Sequence, residues 1–353
     1  MKELFLDANA HIPVNELALK TYTTFSNSKA GHGHPSSLSE PGRLAAAAME
    51  EARDKIAKLI GATSANQIIF TSSCTQACEW ALQILSETSS EIWVSPTEHT
   101  AIKDAVEKYA KKINIIPVND KGVVDCENDY PVAVCTHMQN EIGIIQPIDQ
   151  LKSKYVLSDM SQSVGKIDIN VSKLNIDMAV FGGHKFGGPG GIGFIYLKDP
   201  TTWRPFGTGS RYFMDRTGTP DVAGIVATAV ALEDAIATLP YRQINMTLFQ
   251  GTLEAGLKTR GHEIIGTDVR RAWNTTFFNL PNKAMHAIMA LGEKGIHVGL
   301  GSACGSMHAG PSPLMKVLGR QGSVHDYIRV SQWGEYNDKD AEHFLNVLDA
   351  LRL

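Results

Sequence analysis

The sequence predicts an α/β fold built around a mostly parallel sheet. Short apolar runs alternate with helical patterns through the first two thirds of the 353 residues, which is typical of strand–helix–strand units. From about Pro220 the pattern changes to an Ala-rich helix followed by a mixture of short strands and helices. A second, smaller α+β domain of about 110–120 residues accounts for that change.

The individual elements follow from the spacing of apolar residues. A first amphipathic helix is predicted over about residues 40–60, where apolar residues recur every three or four positions and Gly61 follows as a stop. Strands are predicted at the apolar runs 67–71, 92–94, 113–118, 132–134, 155–157, 178–181, 193–197 and 275–278. Further helices are predicted at 77–85, 101–111, 223–239, 283–291 and 341–351.

Composition excludes several classes of protein. The chain is 43% hydrophobic, which is too high a fraction for a disordered chain. Its 33 Lys and Arg are outnumbered by 37 Asp and Glu, which is unlike a protein with a broad basic surface for nucleic acid. No apolar run approaches the roughly 18 residues of a membrane span, and the first ten residues lack the features of a secretory signal. We therefore expect a cytoplasmic protein without direct nucleic-acid or membrane contact.

The five cysteines predict reduced thiols rather than a disulfide framework, because their number is odd and they are spread over a long chain. Cys74 and Cys78 lie one helical turn apart but have no second pair at metal-ligand spacing, so no metal site is expected. The remaining cysteines are Cys126, Cys135 and Cys304.

A glycine-dense loop at residues 181–193 holds His184 and Lys185 between two apolar runs. This lysine is either an ordinary solvated lysine or an amine that a ligand reaches where the backbone must come close, as in a Schiff base. Residues 188–193 also match the dinucleotide pattern G-x-G-x-x-G, but a strand rather than a helix is predicted behind them. That match is therefore treated as accidental.

Two further features follow predicted strands, where parallel sheets bind their ligands. Asp159 is either a turn residue or, with a Schiff-base lysine, the carboxylate that keeps a pyridinium ring protonated. Residues 71–76 offer hydroxyl groups at a helix N-terminus, which suits helix capping, phosphate binding or both. Together with Lys185 they suggest pyridoxal 5'-phosphate (PLP).

Two single residues carry open alternatives. His99 could stack on an aromatic cofactor and shuttle protons, or be a buried, hydrogen-bonded histidine. Cys304 lies among the small residues of 300–306, a setting that favours an accessible nucleophile over a core cysteine.

Taken together, these motifs resemble the class V aminotransferase-like PLP enzymes, and within them the NifS/IscS-type cysteine desulfurases. The likeness covers most of the chain and rests on motifs in the family's order and spacing, namely Leu6-Asp7, Glu98-His99, 139–143, 159–166, 183–185, 216–219, 301–304 and Ile328-Arg329. It implies fold type I of the PLP-dependent transferases, with a mostly parallel seven-stranded sheet in the large domain. The implied parts are an N-terminal segment packed on the small domain, a large PLP-binding domain and a small α+β domain carrying Cys304, at residues 1–20, 21–235 and 236–353.

The resemblance also implies roles in cofactor binding. Lys185 would form the Schiff base with PLP, Asp159 would face the pyridine nitrogen, Gln162 would bond the phenolic oxygen and His99 would stack on the ring. The phosphate ligands implied are Ser73, Cys74, Thr75 and His184, together with Thr219 from a neighbouring subunit, which implies a homodimer.

The reaction implied is the conversion of L-cysteine to L-alanine with a persulfide on Cys304. Arg329 and Asn140, the latter also beside the cofactor, would hold the substrate carboxylate. Lys185 would remove the Cα proton of L-cysteine, and we expect His99 to hold or transfer the proton of the substrate thiol. The sulfur would pass to an acceptor protein, such as an iron–sulfur scaffold or a thiolation enzyme.

Some positions depart from the family pattern. Gly182 stands where a phosphate-binding serine or threonine is usual, and residues 8–13 and 33–35 also differ. Two alternatives to the desulfurase remain. One is a selenocysteine lyase or another PLP-dependent C–S lyase, for which Cys304 would be dispensable. The other is a non-catalytic scaffold or sulfur-relay partner that kept the fold.

Overall fold

The computed structural model describes residues 3–202, 218–301, 313–320 and 324–352. The helices in those ranges are α1 Glu16–Ser26, α2 Glu40–Ile60, α3 Cys74–Thr88, α4 Thr100–Tyr109, α5 Val222–Ala237, α6 Leu239–Thr259, α7 Ala284–Glu293, α8 Pro313–Val317 and α9 Asp338–Ala350. The strands are β1 Leu4–Leu6, β2 Ile68–Thr71, β3 Glu91–Val94, β4 Lys112–Ile115, β5 Asp129–Val134, β6 Lys152–Asp159, β7 Met178–Gly182, β8 Gly193–Leu197, β9 Thr275–Asn279, β10 Ile296–Val298 and β11 Tyr327–Ser331.

A seven-stranded sheet forms the centre of the larger part, in the order β2-β8-β7-β6-β5-β3-β4. Strands β3 to β7 run parallel to their neighbours among themselves, and β8 is antiparallel to both β2 and β7. The α/β fold with a mostly parallel sheet is therefore confirmed. The strand behind the glycine-dense loop is β8, which agrees with rejecting the dinucleotide pattern.

Helices cover both faces of this sheet. On one face a core cluster joins α2 and α5 to the sheet, and on the other a second cluster joins α3 and α4 to it. Helix α2 has the predicted bounds because Ser39 caps its first turn and Gly61 ends it in the left-handed conformation with φ 78°. Because helices cover both faces of the sheet, a site can form only at the ends of its strands.

A smaller part has its own core, made by α6, α7, α9 and the short strands β1, β9, β10 and β11. Strand β1 pairs in parallel with β10, and β9 pairs antiparallel with β11. The segment 1–20 does not pack there as a whole: its strand β1 does, whereas Ala18 of α1 lies in the core beside α5. Helix α1 follows the larger part because its one buried residue, Ala18, packs in that core.

Helices α5 and α6 meet at a bend of 62° around Thr238. No single described helix has the length and apolar character of a membrane span, and only this bent pair meets those criteria, on length and composition. Helix α5 contributes to the core of the larger part and α6 to that of the smaller. The division expected after residue 235 stays a prediction.

Candidate active site

Five segments place polar residues at the carboxyl edge of the sheet, where one cavity of about 250 Å³ opens. They follow β2, β3, β5, β6 and β7, the strands whose parallel directions bring their ends to the same edge. The lining residues are Asn9, Ala10, Cys74, Thr75, His99, Ala101, Thr136, Met138, Asn140, Asp159, Ser161, Gln162, His184, Lys185 and Arg329.

Most residues that the sequence singled out meet in this cavity, but two of the described ones do not line it. Ser73 lies just outside as the cap of α3. Thr219 is exposed. Cys304 lies outside the described residues.

The start of α3 forms a compact turn that can receive an anion. The Ser73 side chain accepts from the backbone N–H of Gln76 at 3.1 Å, and the helix begins at Cys74 with its first N–H groups directed outward from the helix end. Gly193 of β8 permits this turn to pack closely, since a Cβ there would lie 2.4 Å from the carbonyl carbon of Ser73.

Gly182, at the end of β7, has a local steric reason to be glycine. A Cβ at this position would lie 3.2 Å from Cβ of Cys74 and 3.3 Å from Cε1 of His184. The space in which a serine or threonine would stand is therefore already restricted by two side chains.

Lys185 ends the short turn after β7 and reaches across the cavity to the N-terminal segment. Its Nζ donates to the carbonyl oxygens of Asn9 and Ala10, both at 2.8 Å. Burial, and next the positive charge of Arg329, lower the pKa of Lys185 from its ordinary value. A lysine whose pKa is lowered has a larger neutral fraction, which is the nucleophilic form.

Asp159 is the last residue of β6, and its Oδ1 accepts from the backbone N–H of Ser161 at 2.9 Å. Gln162 follows one residue later, buried, and its Nε2 donates to the carbonyl oxygen of Asn9 at 2.8 Å. The carboxylate and the amide are therefore fixed by the same short turn.

His99 caps the N-terminus of α4. Its Nδ1 accepts from the backbone N–H of Ala101 at 3.1 Å, so in the neutral ring the proton is on Nε2. Burial lowers the pKa of His99 from its ordinary value, which favours that neutral ring.

The neighbouring Glu98 is buried, and its Oε1 accepts from the backbone N–H of Thr136 at 2.6 Å. Burial raises the pKa of Glu98 to about 8, with a further contribution from the negative charge of Asp159. This side chain is therefore mostly protonated at neutral pH.

His184 precedes Lys185 and stacks on His11, with ring centroids 5.6 Å apart and ring planes 19° apart. Burial, and next the charge of Lys185, lower the pKa of His184 to about 4. Both effects keep the ring neutral at physiological pH. A neutral ring can donate one hydrogen bond and accept one within the cavity that His184 lines.

Arg329 lies on β11 of the smaller part and is 1% exposed. Its guanidinium donates to Oδ1 of Asp7 at 2.6 Å, to the carbonyl oxygen of Gly301 at 2.5 Å and to that of Asn140 at 3.2 Å. Among the described residues no acceptor meets its buried Nε. Arg329 thereby joins the smaller part to the cavity and brings a fixed positive charge to it.

Asn9 is the main residue that the sequence did not single out. Its carbonyl accepts from Lys185 and Gln162, its Oδ1 accepts from Lys166 at 3.0 Å, and its Nδ2 donates to the carbonyl of Asn140 at 3.1 Å. Asn9 comes directly after the strand β1 and Asp7, and that position was the available signal. The other lining residues that were missed are Ala10, Ala101, Thr136, Met138 and Ser161.

Comparisons with known proteins agree with this fold. Residues 4–342 match the family model described as aminotransferase class-V. A protein of Dictyoglomus turgidum named Cysteine desulfurase IscS is 31% identical, over 99% of this chain and 94% of its own length. A protein of Enterobacter agglomerans named Cysteine desulfurase is also 31% identical, over 94% of this chain and 88% of its own. A solved structure titled NifS-like protein superposes with a TM-score of 0.89 at 27% identity, covering 99% of this chain and 100% of that one.

The chain therefore belongs to the aminotransferase class-V family, whose members include PLP-dependent enzymes. Its relatives at 27–31% identity over nearly the full length are named cysteine desulfurases.

The cavity residues fit PLP on the chemistry of their donors and acceptors. An amine with a lowered pKa, Lys185, lies in the same cavity as the carboxylate of Asp159. The helix start at Cys74 is brought close by Gly193, where any Cβ would fill the turn. Arg329 lines the same cavity and adds a positive charge for an anionic group. These are the amine, acid and anion sites that the cofactor and an amino acid together require.

Proposed function

We propose that this protein is a PLP-dependent cysteine desulfurase that converts L-cysteine to L-alanine and places the sulfur on Cys304. One observation carries the proposal. Lys185, Asp159 and Arg329 line a single cavity, in a chain that is 31% identical over almost its full length to a protein named as a cysteine desulfurase.

Cofactor binding would use the residues at the sheet edge. Lys185 would hold PLP covalently, Asp159 would face the pyridine nitrogen and Gln162 the phenolic oxygen, with His99 against the ring. The phosphate would take Ser73, Cys74, Thr75 and His184, and Thr219 of a second copy. When bound, PLP withdraws electrons from the bonds at Cα of an amino acid.

The carboxylate of L-cysteine would be held by Arg329, with Asn140 beside it. Arg329 lines the cavity and is already fixed by Asp7 and two carbonyl oxygens, so its positive charge would be held in place with little further loss of side-chain freedom on binding. A guanidinium suits a carboxylate through charge and direction together.

Proton transfer falls to two residues. The amine of Lys185 would take the Cα proton, and burial, which lowers its pKa, increases the fraction of the amine in the neutral form that can accept it. The neutral ring of His99, with its proton on Nε2, would hold or pass the proton of the substrate thiol.

Sulfur transfer would be to Cys304. The Cβ–S bond of the substrate breaks and its electron pair stays with carbon, an S–S bond forms at Cys304, and protonation of carbon gives alanine. The segment that carries Cys304 begins directly after Gly301, whose carbonyl accepts from Arg329 at 2.5 Å. The side chain of Arg329 would thus both bind the carboxylate of L-cysteine and help to place the segment that carries Cys304.

A homodimer with shared sites, a sulfur-acceptor protein and a cytoplasmic location belong to this proposal. Among the described cysteines, Cys74, Cys78, Cys126 and Cys135 are free, as a reducing compartment requires.

The test is product analysis with L-cysteine in the presence of a thiol reductant. We expect equal amounts of alanine and sulfide from the wild-type chain, and neither from Lys185→Ala. Cys304→Ala should keep the visible absorbance of bound PLP and lose sulfur release. If Cys304→Ala releases sulfur at the parent rate, the β-eliminating lyase is the better assignment, and a panel with selenocysteine then distinguishes the two lyases. Protein that stays colourless with PLP would favour the non-catalytic scaffold.

A further inference from the structure

Two thiols lie side by side beneath the cavity. Cys74 begins α3 and Cys78 follows one turn later, with 3.9 Å between their sulfur atoms. Cys74 lines the cavity, whereas Cys78 is fully buried and does not. The Cys74 thiol is also 3.0 Å from Oγ of Ser161, which ties it to the turn after β6.

A third metal-ligating group faces this pair from a different element. A carboxylate oxygen of Asp159, at the end of β6, and the two sulfurs all lie within 4.8 Å of one another. The sequence disfavoured a metal site because no second pair of cysteines follows Cys74 and Cys78. The third ligand comes instead through the packing of β6 beside α3, which spacing along the chain does not reveal.

The spacing matches a tetrahedral thiolate site. Zn²⁺ holds cysteine sulfur at about 2.3 Å, so two sulfurs in tetrahedral geometry lie roughly 3.8 Å apart. The observed separation is 3.9 Å. With a carboxylate as the third ligand, one position of a tetrahedral site remains, and two of the three ligands, Cys74 and Asp159, line the cavity.

We propose that Cys74, Cys78 and Asp159 bind a thiophilic divalent cation, of which Zn²⁺ is the model, with the fourth coordination position open to the cavity. Binding forms two metal–sulfur bonds and releases the two thiol protons, and no redox step occurs. The site rests on the proposed function in two respects: Asp159 would also face the pyridine nitrogen, and Cys74 would also contact the phosphate. Metal and PLP therefore exclude each other, and the cofactor-free chain is the form that takes the metal.

The test uses Co²⁺ as a spectroscopic probe of the full-length chain, with Cys304→Ala in every variant so that the proposed acceptor thiol does not contribute. In the cofactor-free protein we expect one Co²⁺ per chain, with a thiolate-to-cobalt charge-transfer band in the near ultraviolet that Zn²⁺ abolishes. The added substitution Cys78→Ala should remove this band. The matched control is Cys126→Ala, a partly buried cysteine away from the cavity, which should retain it.

The PLP-loaded protein provides the second arm. There the charge-transfer band should be lost, and prior addition of Zn²⁺ to cofactor-free protein should slow PLP uptake in the parent but not in Cys78→Ala. Absence of the band from the cofactor-free parent, or an equal band in Cys78→Ala, would overturn the site. An equal band with PLP bound would overturn the exclusion. Since Cys78 does not line the cavity, the Cys78→Ala variant should bind PLP as the parent does. If neither the parent nor the variants bind PLP, the result would count against the proposed function and not against the metal site.

Discussion

Lys166 donates a hydrogen bond of 2.5 Å from Nζ to Oε1 of Gln162, and both side chains are buried. The amine offers donors, so it selects the amide orientation in which Oε1 points to the lysine and Nε2 to the carbonyl of Asn9. Lys166 therefore acts as a positioning residue behind the cavity. It orients the amide that we propose for the phenolic oxygen of PLP.

Replacing Lys166 by Met should flatten the pH dependence of the free energy of unfolding. Burial lowers the pKa of Lys166 well below its ordinary value, whereas an unfolded lysine titrates near roughly 10.4. Between those values the unfolded chain binds more protons, so the free energy of unfolding rises with pH. Urea unfolding from neutral to alkaline pH should show a smaller rise in Lys166→Met. The exposed control Lys173→Met should keep the parent slope, and an unchanged slope in Lys166→Met would contradict the assignment.

Glu98→Gln should gain stability relative to the parent as pH increases. The pKa of Glu98 is raised by burial to about 8, so the folded chain binds the proton that an unfolded glutamate loses near roughly pH 4.3. The parent therefore loses stability as pH rises through this window, whereas glutamine does not titrate. We expect a relative gain of about 1–3 kcal/mol between about pH 6 and about pH 9, measured by chemical unfolding. The exposed Glu107→Gln should show no such gain, and a parallel response of the two variants would count against the raised pKa.

His99→Asn should separate the two roles of this residue. Asparagine can still cap α4, while alanine removes both the cap and the ring. If the imidazole ring transfers the proton of the substrate thiol, the rate at which L-cysteine is converted to L-alanine should fall by roughly 10²–10⁴-fold in both variants. Only His99→Ala should also lose about 0.5–2 kcal/mol of stability in thermal unfolding. Parent turnover in His99→Asn would exclude His99 from the chemistry.

Arg329→Lys should raise KM for L-cysteine more than it lowers kcat. A lysine cannot keep the bonds to Asp7 and the two carbonyl oxygens and still present a donor to the substrate. We expect KM to rise by roughly 10–100-fold in steady-state kinetics. Arg271→Lys is the matched control, because Arg271 is also partly buried and paired, with Glu254 at 2.5 Å, but lies outside the cavity. Equal KM values in the parent and Arg329→Lys would refute the carboxylate role.

Much of the site was predictable because its residues lie at strand ends that apolar runs reveal. Asp159 ends β6 and Lys185 follows β7, and the sequence placed both correctly relative to those strands. The contacts of Asn9 were not predictable, since they come from strands and loops far along the chain. The raised pKa of Glu98 and the cysteine pair beside Asp159 depend on burial and packing, which a local pattern does not contain.

The most direct test of the desulfurase assignment is the intact mass of the PLP-loaded chain after brief incubation with L-cysteine, without reductant. The wild-type chain should gain the mass of one sulfur atom, while Cys304→Ser and Lys185→Ala should gain none. A wild-type chain that makes alanine without gaining sulfur, or a Cys304→Ser chain that gains as much as the wild type, would contradict the account.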